Sequence, residues 1–441
     1  MKRYANLGKV LYMNIVLTFH LSQCLALASL LPQIVDQNNY SYLGGLGLIC
    51  IYTVNLIFNL VAPLYLTKMK YRYGFAFQAG LVLPSFIPAY IISRCDGNDV
   101  QDLICNPIIL IPLTLIGCVF LGAGLGGYFV LQNTYVSHCS TDKNKQLFFG
   151  VTYMLLGSSY LLNGVTSNQL LSYIGRENYF LYSGLFECIL SLLFIFVQQP
   201  DKGNQNQISE ANQCLIQNDS VDKPEEQMAN INKKFAKIGF KAQIKQIKQK
   251  FQLKEMKFLF SLFISTGVVV GFEFGIFHKF ISASLPGEDE ITVNVKTARI
   301  FLFVGVAQIL SGICNGVSRY FFGIIQNSIF YGNVFQCLNI ISIISAFQQN
   351  YNINIILGFL IGFTDNSGQF NSAVIISDIW NEDMAIFGLY LFCQNFGVMF
   401  TNLVAIFLDG QSLFYYLILL IALQCATSFS QQQFKRSLEK E

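Results

Sequence analysis

Long apolar stretches alternate with short polar loops along this chain, and they form two groups of six. Each stretch is long enough to cross about 30 Å of hydrocarbon as a helix. We predict twelve membrane spans, numbered 1 to 12, at residues 11–35, 42–67, 74–93, 107–137, 147–173, 179–197, 258–285, 297–318, 322–347, 353–380, 384–408 and 413–429. The predicted fold class is an all-α polytopic membrane protein with two six-helix halves.

A polar segment rich in Asn, Gln, Glu and Lys separates the two groups of spans. It divides the chain into a first half at 1–198, a cytoplasmic linker at 199–257 and a second half with a short tail at 258–441. Apolar residues recur at helical spacing late in the linker, at Phe240, Ile244, Ile247 and Phe251. The opposite helix face carries Lys237, Lys241, Lys245 and Lys248. This pattern predicts a basic amphipathic helix on anionic lipid headgroups, and a calmodulin-type target helix is the alternative.

Composition and charge support a membrane protein and orient it. Hydrophobic residues make up 53% of the chain and charged residues 12%, with a mean hydropathy of +0.47, which leaves too little polar surface for a water-soluble globule. Of the 28 lysines and arginines, 23 fall on the side of the predicted spans that carries both termini. Both termini are therefore predicted to be cytoplasmic, in either the plasma membrane or an endomembrane.

Cysteines and a glycosylation sequon mark the opposite face. Eight of the 12 cysteines fall inside spans, whereas Cys95 and Cys105 share one outer loop and are a candidate disulfide pair. Unbonded thiols are the alternative. Asn39 begins the sequence Asn39-Tyr40-Ser41, a candidate glycosylation site whose alternative interpretation is an unmodified turn.

Ionisable residues inside spans are costly, at roughly 2.5–3.5 kcal/mol each on insertion scales, so they indicate pairing or contact with water. Glu273 and Asp365 lie deepest, and Arg299 near the outer start of span 8 is the expected basic partner. A coupling role is one interpretation. Buried structural ion pairs or helix caps are the other, and they fit Glu187 and Asp378 better.

Uncharged polar residues repeat in equivalent spans of the two halves, which predicts a shared central cavity. In span 10, Asp365, Gln369 and Ser372 fall on one helical face. Interhelical hydrogen bonding would explain part of the pattern. The predicted cavity, substrate or coupling residues are Gln132, Asn133, Tyr135, Ser158, Ser159, Asn163, Glu273, Arg299, Asp365, Asn366, Gln369 and Gln394.

Glycine spacing in two spans predicts close helix packing. Gly122, Gly124 and Gly127 match a dinucleotide-binding pattern, but the surrounding sequence continues apolar without a strand, so no nucleotide site is expected. Helix-packing faces are instead predicted at Gly122 and Gly126, and at Gly267, Gly271 and Gly275. Walker, zincin and nucleophile-elbow motifs are missing, so we expect no enzyme, cofactor, metal site or nucleic-acid partner.

The layout of two six-span halves around a charged loop resembles the major facilitator superfamily. The superfamily's usual loop signature after span 2 survives as Lys68-Met69-Lys70-Tyr71-Arg72-Tyr73-Gly74, without its acidic residue. The resemblance implies that the halves are related by a pseudo-two-fold axis around a cavity at the membrane midplane.

A finer resemblance is to the uncoordinated-93-like family, a branch of that superfamily. The matching stretches are Gly122-Ala123-Gly124 with Gln132-Asn133-Thr134-Tyr135, Phe148-Phe149-Gly150 with Ser158-Ser159, Gly271-Phe272-Glu273, Gly362-Phe363-Thr364-Asp365 with Gln369, and Gln394-Asn395-Phe396-Gly397. The family's usual tryptophans are replaced by Tyr128 or Phe129 in span 4 and by Gly368-Gln369 in span 10. Contacts made by those indoles therefore do not transfer to this chain.

This resemblance implies a regulatory or accessory partner of another membrane protein, such as a potassium channel or a receptor. The glycine faces of spans 4 and 7 would then contact that partner. The alternative is a secondary transporter of a small solute or ion, with Asp365 and Glu273 carrying the coupling charge in the central cavity.

Overall fold

The computed structural model describes residues 6–37, 41–95, 105–200, 240–288, 290–318, 321, 323–380, 383–408 and 410–439. Within these ranges the regular secondary structure is entirely helical. Both groups of six spans are present as helices, separated by the linker. Residues 201–239 of the predicted linker lie outside the described residues.

The first half contains the helices of spans 1 to 6. These are Leu7–Gln37, Ser41–Leu66, Tyr71–Val82 continued by a 3₁₀ turn into Phe86–Arg94, Pro107–Cys139, and the long segment Lys145–Leu193. The last segment supplies both span 5 and span 6, because Gly175 adopts a left-handed backbone with φ of 75° and breaks the helix. Only glycine adopts this conformation without steric cost.

The second half follows the linker helix Phe240–Phe251. Span 7 comprises Lys254–Gly271, a π-helical turn at Phe272–Ile276, and Phe277–Ala283. Spans 8 to 12 are the helices Glu290–Ser318, Ile324–Gln348, Tyr351–Ile379, Met384–Phe407 and Gly410–Leu438.

Among the described helices, ten are long and apolar enough to cross a membrane. The helices of spans 5 and 10 are not among them, because they carry the polar side chains from which the cavity was predicted. Span 10, for example, carries four strongly polar residues within seven positions: Asp365, Asn366, Gln369 and Asn371. A helix of this composition is stable at membrane depth only when other helices cover its polar face.

The two halves meet along two helix pairs. Span 2 packs against span 11, and span 5 packs against span 8. Glycines bring the second pair close together: a Cβ atom on Gly157 would approach the main chain at Gln308, and one on Gly312 would approach the main chain at Met154. The same close approach occurs where Gly150 faces Gly316. Small residues at these points let two backbones come together without an intervening side chain.

The glycine faces predicted in spans 4 and 7 are covered by helices of the same chain. In span 4, Gly122 and Gly126 pack against the backbone of span 2 at Ile51 and Asn55. In span 7, Gly267, Gly271 and Gly275 pack against span 11. A Cβ atom added to each would lie 1.7 Å from Gln394, 2.6 Å from Thr401 and 2.3 Å from Asn402, respectively. The expectation that these faces contact another membrane protein is therefore wrong, since internal packing fills them.

The linker helix lies against the second half. Its Phe251 ring contacts Phe260 of span 7, and Lys250 forms an ion pair with Asp383 in the loop before span 11. Lys245 and Lys248 are exposed, as a headgroup-binding face requires. Lys237 lies outside the described residues, as does the side chain of Lys241, and contact with lipid headgroups stays a prediction.

Cys95 and Cys105 form a disulfide in the structure. It ties the end of span 3 to the start of span 4 across their connecting loop. The candidate glycosylation residue Asn39 lies outside the described residues.

We predict that Gly267→Ala destabilises the protein strongly. An added Cβ would lie 1.7 Å from the Gln394 carbonyl oxygen, which is backbone and cannot move aside without shifting span 11. Overpacking of this kind costs about 2 kcal/mol or more. Thermal unfolding in detergent measures the effect. Gly80→Ala in span 3 is the matched control, because no neighbouring atom lies within 4 Å of its added Cβ, and equal melting temperatures of the two variants would contradict the packing described here.

Candidate central cavity

A cavity of about 110 Å³ lies between the two halves. Spans 1, 2, 4 and 5 line it from the first half, and spans 7, 10 and 11 line it from the second half. Its polar lining residues are Tyr52, Asn55, Ser159, Tyr160, Gln369, Gln394 and Asn395. The remaining lining is apolar apart from Cys24, and it includes Phe129 and Phe274. The ring centroids of Phe274 and Tyr160 lie 6.1 Å apart.

Asp365 lies directly behind the cavity wall. Its side chain is buried, and each carboxylate oxygen accepts a hydrogen bond from an amide nitrogen. Gln308 Nε2 of span 8 donates to Oδ2 at 3.1 Å, and Gln369 Nε2 donates to Oδ1 at 2.8 Å. Gln369 itself lines the cavity, so one side chain connects the solvent-sized space with the buried carboxylate.

Glu273 is the second buried carboxyl group at this level. It sits in the π-helical turn of span 7, is fully buried, and neither of its oxygens has a hydrogen-bond partner among the described residues. Glu273 and Asp365 are close enough for their charges to act on each other, and both act on the cavity tyrosines Tyr52 and Tyr160. π-Helical turns of this kind occur frequently at functional sites.

Arg299 does not pair with either carboxyl group. It is exposed near the start of span 8 and interacts electrostatically with Tyr351. Gln308, which contacts Asp365, lies nine residues further along the same helix, a rise of roughly 13 Å. Arg299 is thus too far along the helix axis to neutralise Asp365, and the expected ion pair is absent among the described residues.

The pair of carboxyl groups therefore has no cationic side chain beside it in the described part of the chain. Two buried negative charges without a counter-ion would cost several kcal/mol. Both carboxyl groups belong to the second half, in spans 7 and 10, and neither lines the cavity.

The other predicted cavity residues occupy three kinds of position. Ser159, Gln369 and Gln394 line the cavity. Gln132, Asn133 and Tyr135 are buried inside the first half and bond to Asn14, Tyr153 and the Gln198 carbonyl. Ser158 bonds to its own helix, Asn163 is half-buried away from the lining, and Asn366 joins span 10 to the Gln308 carbonyl of span 8. Interhelical hydrogen bonding thus accounts for much of the polar pattern in span 4.

A sequence-family comparison decides the wider relationship. The model of the Major Facilitator Superfamily matches residues 26–401, which is most of the chain. The chain belongs to the major facilitator superfamily. No curated protein matches it in sequence.

Solved structures of this superfamily share the fold. One is "The structure of the MFS (major facilitator superfamily) proton:xylose symporter XylE bound to 6-bromo-6-deoxy-D-glucose". It is similar to this chain with a TM-score of 0.65 and 13% sequence identity, over 96% of this chain and 95% of that one. At this identity the similarity establishes the fold alone. The finer likeness to the uncoordinated-93-like branch stays a prediction.

In this superfamily member a buried lysine joins the two halves at the end that carries the linker. Lys145, at the start of span 5, donates to the Ser377 carbonyl at 3.0 Å and pairs with Asp378 at 3.3 Å, both in span 10. Only 4% of its side chain is exposed. Beside it, the hydroxyls of Ser137 and Ser377 lie 2.6 Å apart. These contacts hold the linker end closed.

Two ionisable residues take the structural roles that the ion-pair interpretation assigns to them. Asp378 pairs with Lys145. Glu187 of span 6 lies 2.5 Å from His20 Nδ1 of span 1, and both side chains are fully buried. His20 also stacks on Tyr128 at 4.8 Å between ring centroids, which fixes the pair within the first half.

Several site residues were missed by sequence reasoning. Gln308 is a single polar residue in an apolar stretch and gives no pattern, whereas Tyr160 directly follows the predicted Ser158 and Ser159. Asn55 and Asn59 offered a usable signal, since they are four residues apart in an otherwise apolar span 2 and so share one helical face. His20 and Glu187 are 167 residues apart, and no local pattern joins them.

We predict that Lys145→Met opens the linker end of this superfamily member. The change removes the charge and hydrogen bonds that join span 5 to span 10, while keeping a side chain of similar length. Spin labels at two exposed linker-end positions, Lys68 and Lys257, would report longer distances by pulsed electron resonance. Lys250→Met is the matched control, because the Lys250–Asp383 pair does not bridge the halves. Unchanged Lys68–Lys257 distances in Lys145→Met would show that this lysine does not hold the end closed.

Proposed function

We propose that this protein is a secondary transporter that moves a small solute through the central cavity by alternating access. The observation that carries the proposal is the cavity itself, which is lined from both halves and has two buried carboxyl groups behind its wall with no cationic partner among the described residues. A helical protein whose polar residues served only to hold helices together would not need such a space. The fold shared with a proton:xylose symporter supports the same function.

The architecture supplies the parts that alternating access requires. The two halves, at 1–198 and 258–441, would move as units. Their contacts along spans 5 and 8 are glycine-rich and lack interlocking side chains at Gly150 and Gly316. Lys145 provides a breakable contact at the linker end. We place that end in the cytoplasm, on the basis of the lysine and arginine distribution.

Asp365 and Glu273 would carry the coupling charge. Asp365 accepts hydrogen bonds from two amide groups, one in span 8 and one in its own span. Glu273 has no hydrogen-bond partner among the described residues. Two neighbouring carboxyl groups in such different surroundings can take different parts in proton transfer.

The regulatory role implied by the uncoordinated-93-like resemblance has less support. Its physical basis was the glycine faces of spans 4 and 7, and both are covered within the chain. The transporter alternative needs no free partner-binding face. It also explains why polar residues of both halves converge on one cavity.

Uptake into proteoliposomes tests the transporter function. The purified full chain is assayed with an inward proton gradient and three labelled probes: erythritol as a neutral solute, tetramethylammonium as a cation and lactate as an anion. We expect at least one probe to accumulate above its level in protein-free liposomes. Failure of all three to accumulate or exchange would contradict the proposal.

Asp365→Asn should separate coupling from solute movement. The variant removes the ionisable group but leaves the cavity lining intact, so we expect gradient-driven accumulation of the transported probe to fall to the protein-free level while exchange across the membrane persists. Glu255→Gln, in the first turn of span 7 and far from the cavity, is the control and should retain both activities. Full accumulation by Asp365→Asn would remove Asp365 from the coupling site.

A further inference from the structure

The cavity wall is electrically neutral. Its lining residues include amides, hydroxyls, one thiol and apolar groups, and no Lys, Arg, His, Asp or Glu among the described residues contacts the space. Neither nearby carboxyl group lines it: Asp365 uses both oxygens on amide donors, and Glu273 is fully buried. An ionic solute entering this cavity would lose its hydration and find no opposite charge.

Three amides nevertheless keep hydrogen-bonding groups open to the cavity. Gln394 of span 11 is only 5% exposed, yet neither its nitrogen nor its oxygen bonds to a described residue. Its neighbour Asn395 donates to the Leu391 carbonyl and keeps its oxygen available. Asn55 of span 2 accepts from Asn59 Nδ2, and its own Nδ2 stays available.

The open polar atoms of these amides face the cavity, so water or a solute there completes their hydrogen bonds, and a solute that displaced the water without replacing those bonds would lose about 1–3 kcal/mol for each. Together they offer both donors and acceptors, and they come from opposite halves. A hydroxyl group is itself a donor and an acceptor, so it matches this set. The apolar part of the lining, with Phe129 and Phe274, suits a carbon skeleton rather than a second charged end.

The volume limits the size of that ligand. Cavities of about 150 Å³ hold a benzene molecule, and this one measures about 110 Å³ in the closed arrangement of the linker end. Resting on the transporter function proposed above, we propose that the solute is a small uncharged polyol, bound between Gln394 and Asn395 of one half and Asn55 of the other. Contact with both halves would couple its binding to their relative position.

The three-probe uptake assay distinguishes this inference from the transporter function on which it rests. We expect erythritol to accumulate and tetramethylammonium and lactate to stay at the protein-free level. Accumulation of either ion without erythritol would overturn the polyol assignment and leave the transporter function intact. Failure of all three probes would overturn both.

Substitution of Gln394 tests the binding site itself. Gln394→Leu should lower the apparent affinity for erythritol about tenfold, the loss expected for one or two hydrogen bonds. Gln336→Leu makes the same chemical change in span 9, away from the cavity, and should leave the affinity unchanged.

Gln394→Glu guards against a folding defect, because it keeps the size and hydrogen-bonding reach of the side chain. A carboxylate there should weaken erythritol uptake and leave the melting temperature close to that of the unmodified protein. Unchanged erythritol affinity in both Gln394 variants would overturn the proposed binding site.

Discussion

The hydrocarbon interior of a bilayer cannot hydrate a polar group, and every unusual feature of this structure follows from that constraint. Spans 5 and 10 are too polar to face lipid, so they lie inside the bundle and other helices cover them. Their polar side chains then have three options: to bond to one another, to bond to a neighbouring backbone, or to line an aqueous space. Gln132 and Asn366 take the first two options. Gln394 takes the third.

Glycine allows the bundle to close around these groups without losing the space between the halves. Where glycines face backbone, as at Gly267 against the Gln394 carbonyl, two helices approach so closely that a methyl group would not fit. This contact also sets the position of Gln394 in the cavity, because Gln394 packs its carbonyl on Gly267 and lines the cavity with its side chain. Helix packing and the lining of the cavity therefore depend on the same helix pair.

The sequence predicts the helices well and the site only in part, and the difference has a physical cause. Membrane spans depend on hydrophobicity summed over about 20 residues, a local property that a single chain displays directly. Membership of the cavity depends on which face of each helix turns inward, and that is decided by neighbours distant in sequence. Arg299 shows the limit: it has the right charge and the right span, but its position along the helix axis places it away from Asp365. The residue of span 8 that contacts Asp365 is the uncharged Gln308, whose side-chain amide donates to the carboxylate.

Gln369 shows how solute binding and charge could be linked through one side chain. Its Nε2 donates to Asp365 while the residue also borders the cavity, so a solute hydroxyl that draws the amide away would remove one of the two donors that stabilise the carboxylate. Asp365 would then keep one donor, the Gln308 amide of span 8. Binding in the neutral cavity would thus change the surroundings of a carboxyl group that the solute does not touch. In the proposed transporter, the neutral wall would bind the uncharged solute and the carboxyl pair behind it would carry the coupling charge.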